Sequence, residues 1–181
     1  MSLKEFMLDF LFPKFCLICK REGSYLCQDC FSMIDILEHQ YCPFCFPPKT
    51  GNTCEFCKKT KSLDGLYAAS STENFVARKL SVEFKNIKEL SKTLSLLIIA
   101  HLIKLDKVEE VLSFTIWPLN KELAEELSKN LKIPIKKSEN VLLVDITFSS
   151  AEKMEKEAKK LKKQGVKKVL GIVPFISLQE K

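Results

Sequence analysis

The cysteines constrain this chain more than any other feature, because all eight fall between positions 16 and 57 as four Cys-x-x-Cys pairs. Two intervening residues let a tight turn direct both sulfur atoms at one ion, and two such turns complete a tetrahedral site. Only two histidines occur in the 181 residues, so any metal here must bind to sulfur. The pattern predicts two structural zinc ions held by thiolates. The ligands are Cys16, Cys19, Cys27, Cys30, Cys42, Cys45, Cys54 and Cys57.

The same cysteines are compatible with a disulfide framework, a thioredoxin-like redox motif or an iron–sulfur cluster. A redox motif needs one reactive pair on a strand–helix unit, whereas four pairs repeat here with little apolar sequence between them. A reducing cytoplasm also favours metal over disulfides. Gaps of seven and eight residues within each half favour pairing of adjacent Cys-x-x-Cys units. Spacing alone leaves a cross-braced pairing open.

Four thiolates leave no coordination position for water, so the predicted zinc ions have a structural role. The cysteine-rich segment also contains few large apolar residues. We therefore expect metal binding to supply most of its folding free energy, ~10 kcal/mol or more per site.

The first residues predict a short amphipathic helix. Ser2 and Glu5 form a capping box, and Pro13 follows the apolar residues. Its apolar face contains Leu3, Phe6, Met7, Phe10 and Leu11. We expect this face to dock onto the second domain rather than to anchor in a membrane. No apolar run reaches the ~18 residues of a membrane span, and the start does not resemble a secretory signal, so we expect a soluble, cytoplasmic protein.

The pattern changes after the basic stretch at residues 58–61, which predicts domains at residues 1–60 and 61–181. Strands are predicted over residues 63–70, 111–116, 141–146 and 169–175. Helices are predicted over residues 87–105, 121–131 and 151–164, the last closed by Gly165. Alternating strands and helices indicate an α/β fold, with a parallel sheet and flanking helices after the small double zinc ribbon.

Ligands of such sheets bind beyond the carboxyl ends of the strands. The turn after residues 141–146 carries Asp145, Thr147, Ser149 and Ser150 just before a helix, a setting that suits phosphate. Alternatively, Ser149 or Ser150 only caps the helix. The five glycines are too dispersed for a glycine-rich phosphate loop, which excludes a Walker or dinucleotide-binding motif.

Positive charge is concentrated in the second part of the chain. Residues 58–181 contain 24 Lys or Arg against 16 Asp or Glu, a net charge of +8. The helix over residues 151–164 carries a candidate nucleic-acid surface at Lys159, Lys160, Lys162 and Lys163. A lysine-rich face can equally be only solvated, and the aromatics near this helix in the sequence are Phe148 and Phe175. His101 has no acidic or nucleophilic partner beside it, so we expect a helix-face or core-edge residue and not a catalyst.

Several short motifs carry a family resemblance. In order they are Leu-Phe-Pro at residues 11–13, the cysteine pairs, Tyr67, Phe-Lys at residues 84–85, Trp-Pro-Leu at residues 117–119 and Val-Leu-Leu-Val-Asp at residues 141–145. In this order the chain resembles the ComF family of competence proteins. The resemblance implies a double zinc ribbon joined to a phosphoribosyltransferase-type domain, with an association with transforming DNA.

The chain departs from that family where the chemistry is expected. The phosphoribosyl pyrophosphate loop usually has two acids, then two spacers and Thr-Thr-Gly; here the second acid is Ile146 and the glycine is Ala151. An Arg-rich segment that normally follows Trp-Pro-Leu is replaced by Asn120 and a helix. Without the pyrophosphate half of the site, a leaving group has nothing to stabilise it.

The sequence therefore favours a non-catalytic phosphoribosyltransferase fold that acts as a binding module in DNA uptake or related nucleic-acid handling, with single-stranded DNA as the expected partner. One alternative is an active phosphoribosyltransferase, which would require Mg²⁺. Another is an adaptor that binds a protein partner through the zinc ribbons.

Overall fold

The computed structural model describes residues 13–38, 40, 42–45 and 52–177. The helix predicted before Pro13 lies outside these residues. The described helices are α1 (Gln28–Phe31), α2 (Glu55–Lys58), α3 (Phe75–Glu83), α4 (Leu90–Lys104), α5 (Val108–Leu112), α6 (Lys121–Leu131) and α7 (Glu152–Lys163). The described strands are β1 (Gly65–Ser71), β2 (Thr115–Pro118), β3 (Asn140–Val144), β4 (Thr147–Phe148) and β5 (Lys168–Ile176).

The strands form one parallel sheet. Its order is β1-β5-β3-β2, and β4 continues the pairing of β3 along the longer β5. The predicted fold class is confirmed: this is an α/β protein with a parallel sheet flanked by helices, preceded by two four-cysteine clusters consistent with a zinc ribbon.

Both faces of the sheet are buried, as the continuous apolar runs of its strands require. Tyr67 and Ala69 of β1 point to one face, where α3, α4 and α6 pack with Leu80, Leu94 and Leu123. The alternate residues of β1 point to the other face, where α7 packs with Met154, Ala158 and Leu161. The sheet is therefore the middle of three layers, and the exposed side of α7 belongs to an outer layer.

One predicted strand was wrong, and the helix between β1 and α4 was not predicted. Residues 111–116 were predicted to be a strand, but the chain forms α5 and then β2. The apolar run there includes Val111, on the buried face of a short helix, and Ile116, in the strand, so one apolar stretch spans two elements. The missed helix is α3, which begins where the Asn74 side chain accepts a hydrogen bond from the Ala77 N–H at 3.0 Å.

The cysteine-rich part makes direct contacts with the sheet and its helices. Leu26 and Ile34 belong to the same buried cluster as the α3 and α4 residues. The Leu37 N–H donates to the Ala69 carbonyl at 2.9 Å, which places this segment beside β1. The division of the chain at residue 60 stays a prediction. Within the described residues, no helix is long and apolar enough to cross a membrane.

Gly171, in the middle of β5, offers a test of the packing between the sheet and α7. A Cβ atom there would lie 2.7 Å from Met154 Sδ and 2.9 Å from Leu66 Cδ1. We expect Gly171→Ala to lower the free energy of unfolding by about 1–3 kcal/mol through overpacking. Chemical denaturation measures the change. If the contact with Met154 is the cause, Met154→Ala in the same chain should recover part of the loss, whereas purely additive effects would contradict this packing.

Candidate functional site

The eight cysteines form two separate clusters. The first contains Cys16, Cys19, Cys27 and Cys30, and the second contains Cys42, Cys45, Cys54 and Cys57. Within each cluster all four sulfur atoms lie within 4.8 Å of one another. Each cluster thus joins neighbouring Cys-x-x-Cys units, so the structure supports adjacent pairing over the cross-braced pairing that spacing left open.

The distances between sulfur atoms fit a metal site and not a disulfide. Cys19 Sγ lies 3.6 Å from Cys27 Sγ, and Cys45 Sγ lies 3.5 Å from Cys54 Sγ. A disulfide brings its sulfurs to ~2.05 Å, whereas four thiolates ~2.3 Å from a central zinc ion are spaced at about 3.8 Å. All eight cysteines are free of disulfides. Both clusters are therefore compatible with a structural metal ion.

The thiols of each cluster differ in acidity. Backbone hydrogen bonding from Cys57 lowers the pKa of Cys54 to about 7. Burial opposes ionisation of Cys16, but backbone N–H donors led by that of Cys27 outweigh it and lower its pKa to about 6. Burial raises the pKa of Cys30 to about 12. Without a cation, a neutral solution therefore leaves each cluster partly protonated, and metal binding would displace the remaining protons.

The first cluster is part of the main core, whereas the second is attached at the edge of the sheet. Cys16 and Cys30 belong to the buried cluster that contains the α3 and α4 side chains. Near the second cluster, Phe44 packs against the α7 face of the sheet. Thr53 links this region to the chain before β1, since its N–H donates to the Asp64 carbonyl at 2.8 Å.

In the predicted site at the end of β3, the acidic residue forms an ion pair with a lysine. Asp145 follows β3, and one of its carboxylate oxygens accepts the Ile146 N–H at 2.9 Å. The other oxygen pairs with the ammonium of Lys153, in the first turn of α7. The Asp145 side chain is only 11% exposed, so this ion pair satisfies a largely buried carboxylate.

Among the hydrogen bonds of the described residues, none joins a hydroxyl group of this turn to Asp145. Thr147 lies in β4 and pairs with Phe175, while Ser149 and Ser150 are exposed. Neither serine caps α7, because the N-cap is Ala151 and no side chain accepts a hydrogen bond there. The alternative that a serine caps the helix is therefore not supported.

The connection from β2 to α6 at the neighbouring strand end is short. The Leu119 and Asn120 N–H groups both donate to the Val144 carbonyl at 2.9 Å. Asn120 then caps α6, accepting from the Leu123 N–H at 2.9 Å. The chain turns directly from β2 into α6, and the Asp145 carboxylate beside this turn is already paired with Lys153.

The four lysines predicted as one surface point in different directions around α7. Lys159 and Lys163 are exposed on its outer side. Lys160 pairs with Glu157 at 2.8 Å, whereas Lys162 turns the other way and pairs with Asp64 at 2.6 Å. The helix therefore presents positive charge on three sides rather than on a single face.

The aromatic residue beside these lysines is Trp117, which the sequence analysis did not associate with α7. Its indole N–H donates to Glu157 at 3.2 Å, and the ring is half-buried because β2 is an edge strand. Phe148 and Phe175, the aromatics expected near the helix, are both buried in the core. Trp117 lies two residues after the start of β2 and 40 residues before Glu157 in sequence. Only the pairing of β2 with β3 brings the two side chains together.

His101 is fully buried and has a structural position. Its Nε2 lies 2.6 Å from the Gln40 side-chain amide, whose oxygen accepts the Ala68 N–H at 3.2 Å. The Gln40 nitrogen is thus the atom that donates to His101. Burial lowers the pKa of His101 to about 4, so the ring is neutral at pH 7.

The comparisons with known proteins give no assignment. No protein-family model matches the chain, and no curated protein is significantly similar to it. The fold and the clusters define an α/β protein with two four-cysteine metal-site candidates.

Because only the first cluster packs in the main core, we expect loss of its metal site to destabilise the sheet more than loss of the second. Cys19→Ser and Cys45→Ser are matched changes, because both side chains are exposed. Each variant should retain one metal ion per chain instead of two. Cys19→Ser should lower the free energy of unfolding of the sheet by about 3 kcal/mol or more, and Cys45→Ser by about 1 kcal/mol, since the first cluster carries core residues. Metal analysis and denaturation followed by Trp117 fluorescence measure both effects; equal losses would contradict the proposed attachment.

The occupied Asp145 predicts that phosphoribosyl pyrophosphate does not bind. Titration calorimetry with millimolar ligand and Mg²⁺ should give no binding heat, and Asp145→Asn should behave as the original chain does. Magnesium-dependent binding that disappears in Asp145→Asn would contradict this interpretation of the site.

Proposed function

We propose that this chain is a ComF-like zinc protein whose phosphoribosyltransferase-type sheet binds nucleic acid in DNA uptake or a related process, and carries out no phosphoribosyl transfer. The observation that carries the proposal is the combination of α7 lysines with the half-exposed Trp117 beside them. Positive charge that follows a backbone, together with an aromatic ring on which bases stack, is how proteins bind single strands without reading their sequence.

Zinc is the metal proposed for both clusters. Four thiolates in a closed tetrahedral arrangement are typical of structural zinc, and the spacing between the sulfur atoms agrees with it. In this role the ions organise the cysteine-rich part and take no part in chemistry.

The absence of phosphoribosyl transfer is supported by the ion pair between Asp145 and Lys153. In the resembling family this acid would serve the ribose hydroxyls. Here Lys153 supplies the positive charge that a bound magnesium complex would bring, and the second acid position is the apolar Ile146.

Charge around α7 supports an anionic partner. Lys156, Lys159 and Lys163 are all exposed, and the two glutamates on the inner sides of the helix are already bound. Glu155 accepts the Ser62 and Leu63 N–H groups at 2.9–3.0 Å, and Glu157 accepts from Trp117. These acids are therefore directed away from the outer surface, where the lysines predominate.

Binding of single-stranded DNA is expected to be measurable and strongly dependent on salt. A fluorescent thymidine oligonucleotide should bind with an affinity that falls as salt rises, at a slope of about −0.7 for each phosphate neutralised. Trp117 is the one tryptophan of the chain, so stacking should also quench the intrinsic fluorescence.

The matched variants are Trp117→Phe, which keeps a ring, and Trp117→Leu, which does not. Loss of stacking should reduce affinity about tenfold in Trp117→Leu and no more than about threefold in Trp117→Phe, because a stacked base contributes about 1–3 kcal/mol. Thermal melting controls for folding. No change in anisotropy at low salt would reject nucleic-acid binding and, with no phosphoribosyl pyrophosphate binding, would favour the adaptor function.

A further inference from the structure

A second polar site lies at the opposite end of the sheet from Asp145. It is a pocket of about 470 Å³ between the region of the second cysteine cluster and the amino-terminal ends of β1 and β5. Four of its lining residues are lysines: Lys58, Lys162, Lys167 and Lys168. They come from α2, from the last turn of α7 and from residues 167–168 where β5 begins, so distant parts of the sequence converge here.

The walls of this lysine pocket are held by hydrogen bonds between these segments. The Thr53 hydroxyl donates to the Leu63 carbonyl at 2.5 Å, which fixes the chain before α2. The Asp64 carboxylate accepts the Val169 N–H at 2.7 Å and pairs with Lys162. The one lining carboxylate is therefore already satisfied by a lysine and a backbone donor.

The remaining lysines keep an excess of positive charge. Lys168 lies 3.1 Å from Glu110, but Lys107 binds the same carboxylate at 3.2 Å, so two ammonium groups share one negative charge. Lys167 pairs with Glu139 at 2.9 Å, and both side chains are about 70% exposed, so solvent screens this pair. Lys58 is exposed at the end of α2.

We propose that the lysine pocket binds a backbone phosphate of single-stranded nucleic acid, an inference that rests on the proposed function. Ammonium groups that approach from three elements match an anion with several acceptor oxygens. The volume lies within the range of about 300–1,000 Å³ typical of small-ligand sites, so a phosphate with its sugar fits.

The position of the pocket agrees with a strand that lies along α7. This helix has 12 residues and is about 18 Å long. Trp117 contacts its middle at Glu157, and the lysine pocket lies at its carboxyl-terminal end, at Lys162. A bound strand that stacks a base on the indole and crosses α7 toward its carboxyl-terminal end can place a phosphate further along the strand in the pocket.

The experiment compares two variants with the same loss of charge. Lys58, Lys167 and Lys168 are changed to Ala in the pocket variant. In the control, three exposed lysines of the helical layer on the other face of the sheet, Lys88, Lys92 and Lys129, are changed to Ala. Both full-length proteins, with bound metal, are titrated with a thymidine oligonucleotide and, separately, with inorganic pyrophosphate. Thermal melting checks that they fold.

The pocket variant should lose at least tenfold in oligonucleotide affinity and the control no more than about threefold. Equal losses would overturn the pocket while leaving nucleic-acid binding intact. If the original chain binds no oligonucleotide, the proposed function fails, and the pyrophosphate titration tests the pocket by itself. Pyrophosphate binding that only the pocket variant loses would support an anion site there. Absence of pyrophosphate binding to the original chain would overturn the pocket. Should the triple variant unfold, Lys58→Ala with Lys167→Ala is compared with Lys92→Ala plus Lys129→Ala.

Discussion

The grouping of four sulfur atoms around a single point, twice, is the constraint on which the first part of this chain depends. Short helices such as α1 and α2 have four residues each and no stability of their own. Each helix is held by the cysteines at or beside it, which point into a four-sulfur cluster. Four thiolates so close together would repel one another without a cation. Because Cys16 and Cys30 also pack in the main core, the first metal site and the sheet stabilise each other.

The strand-end site shows an acidic residue that serves the structure. The parallel sheet brings Asp145 to the end of β3, where ligands of such sheets bind. One lysine in the first turn of α7 turns that acid into a structural ion pair. The same helix carries further lysines outward, toward Trp117 on one side and the lysine pocket on the other, so its charge suits contact with a polyanion.

Much of the fold could be predicted from the sequence because its signals are local. The cysteine spacing determined both clusters, and the bounds of the helix over residues 121–131 agree with α6, which Asn120 caps. The strand predicted over residues 111–116 was wrong because a short buried helix and a strand share one apolar run. The helix α3 was missed because it has only nine residues and only its cap at Asn74 marks its start.

The site was less predictable because its contacts join residues far apart in sequence. Lysines 159, 160, 162 and 163 are close in the chain, but the helical twist directs them to different sides, and the partner of Lys162 is Asp64. Trp117 reaches Glu157 only because β2 packs beside β3 and α7 covers that face. Such relations follow from sheet order, which spacing does not reveal.

The most direct test of the account is X-ray absorption at the zinc edge of the protein purified under reducing conditions. We expect two zinc ions per chain, each surrounded by four sulfur atoms at about 2.3 Å and no lighter ligand. Nitrogen or oxygen in the coordination shell, or metal-free protein with cysteines joined to one another, would contradict it.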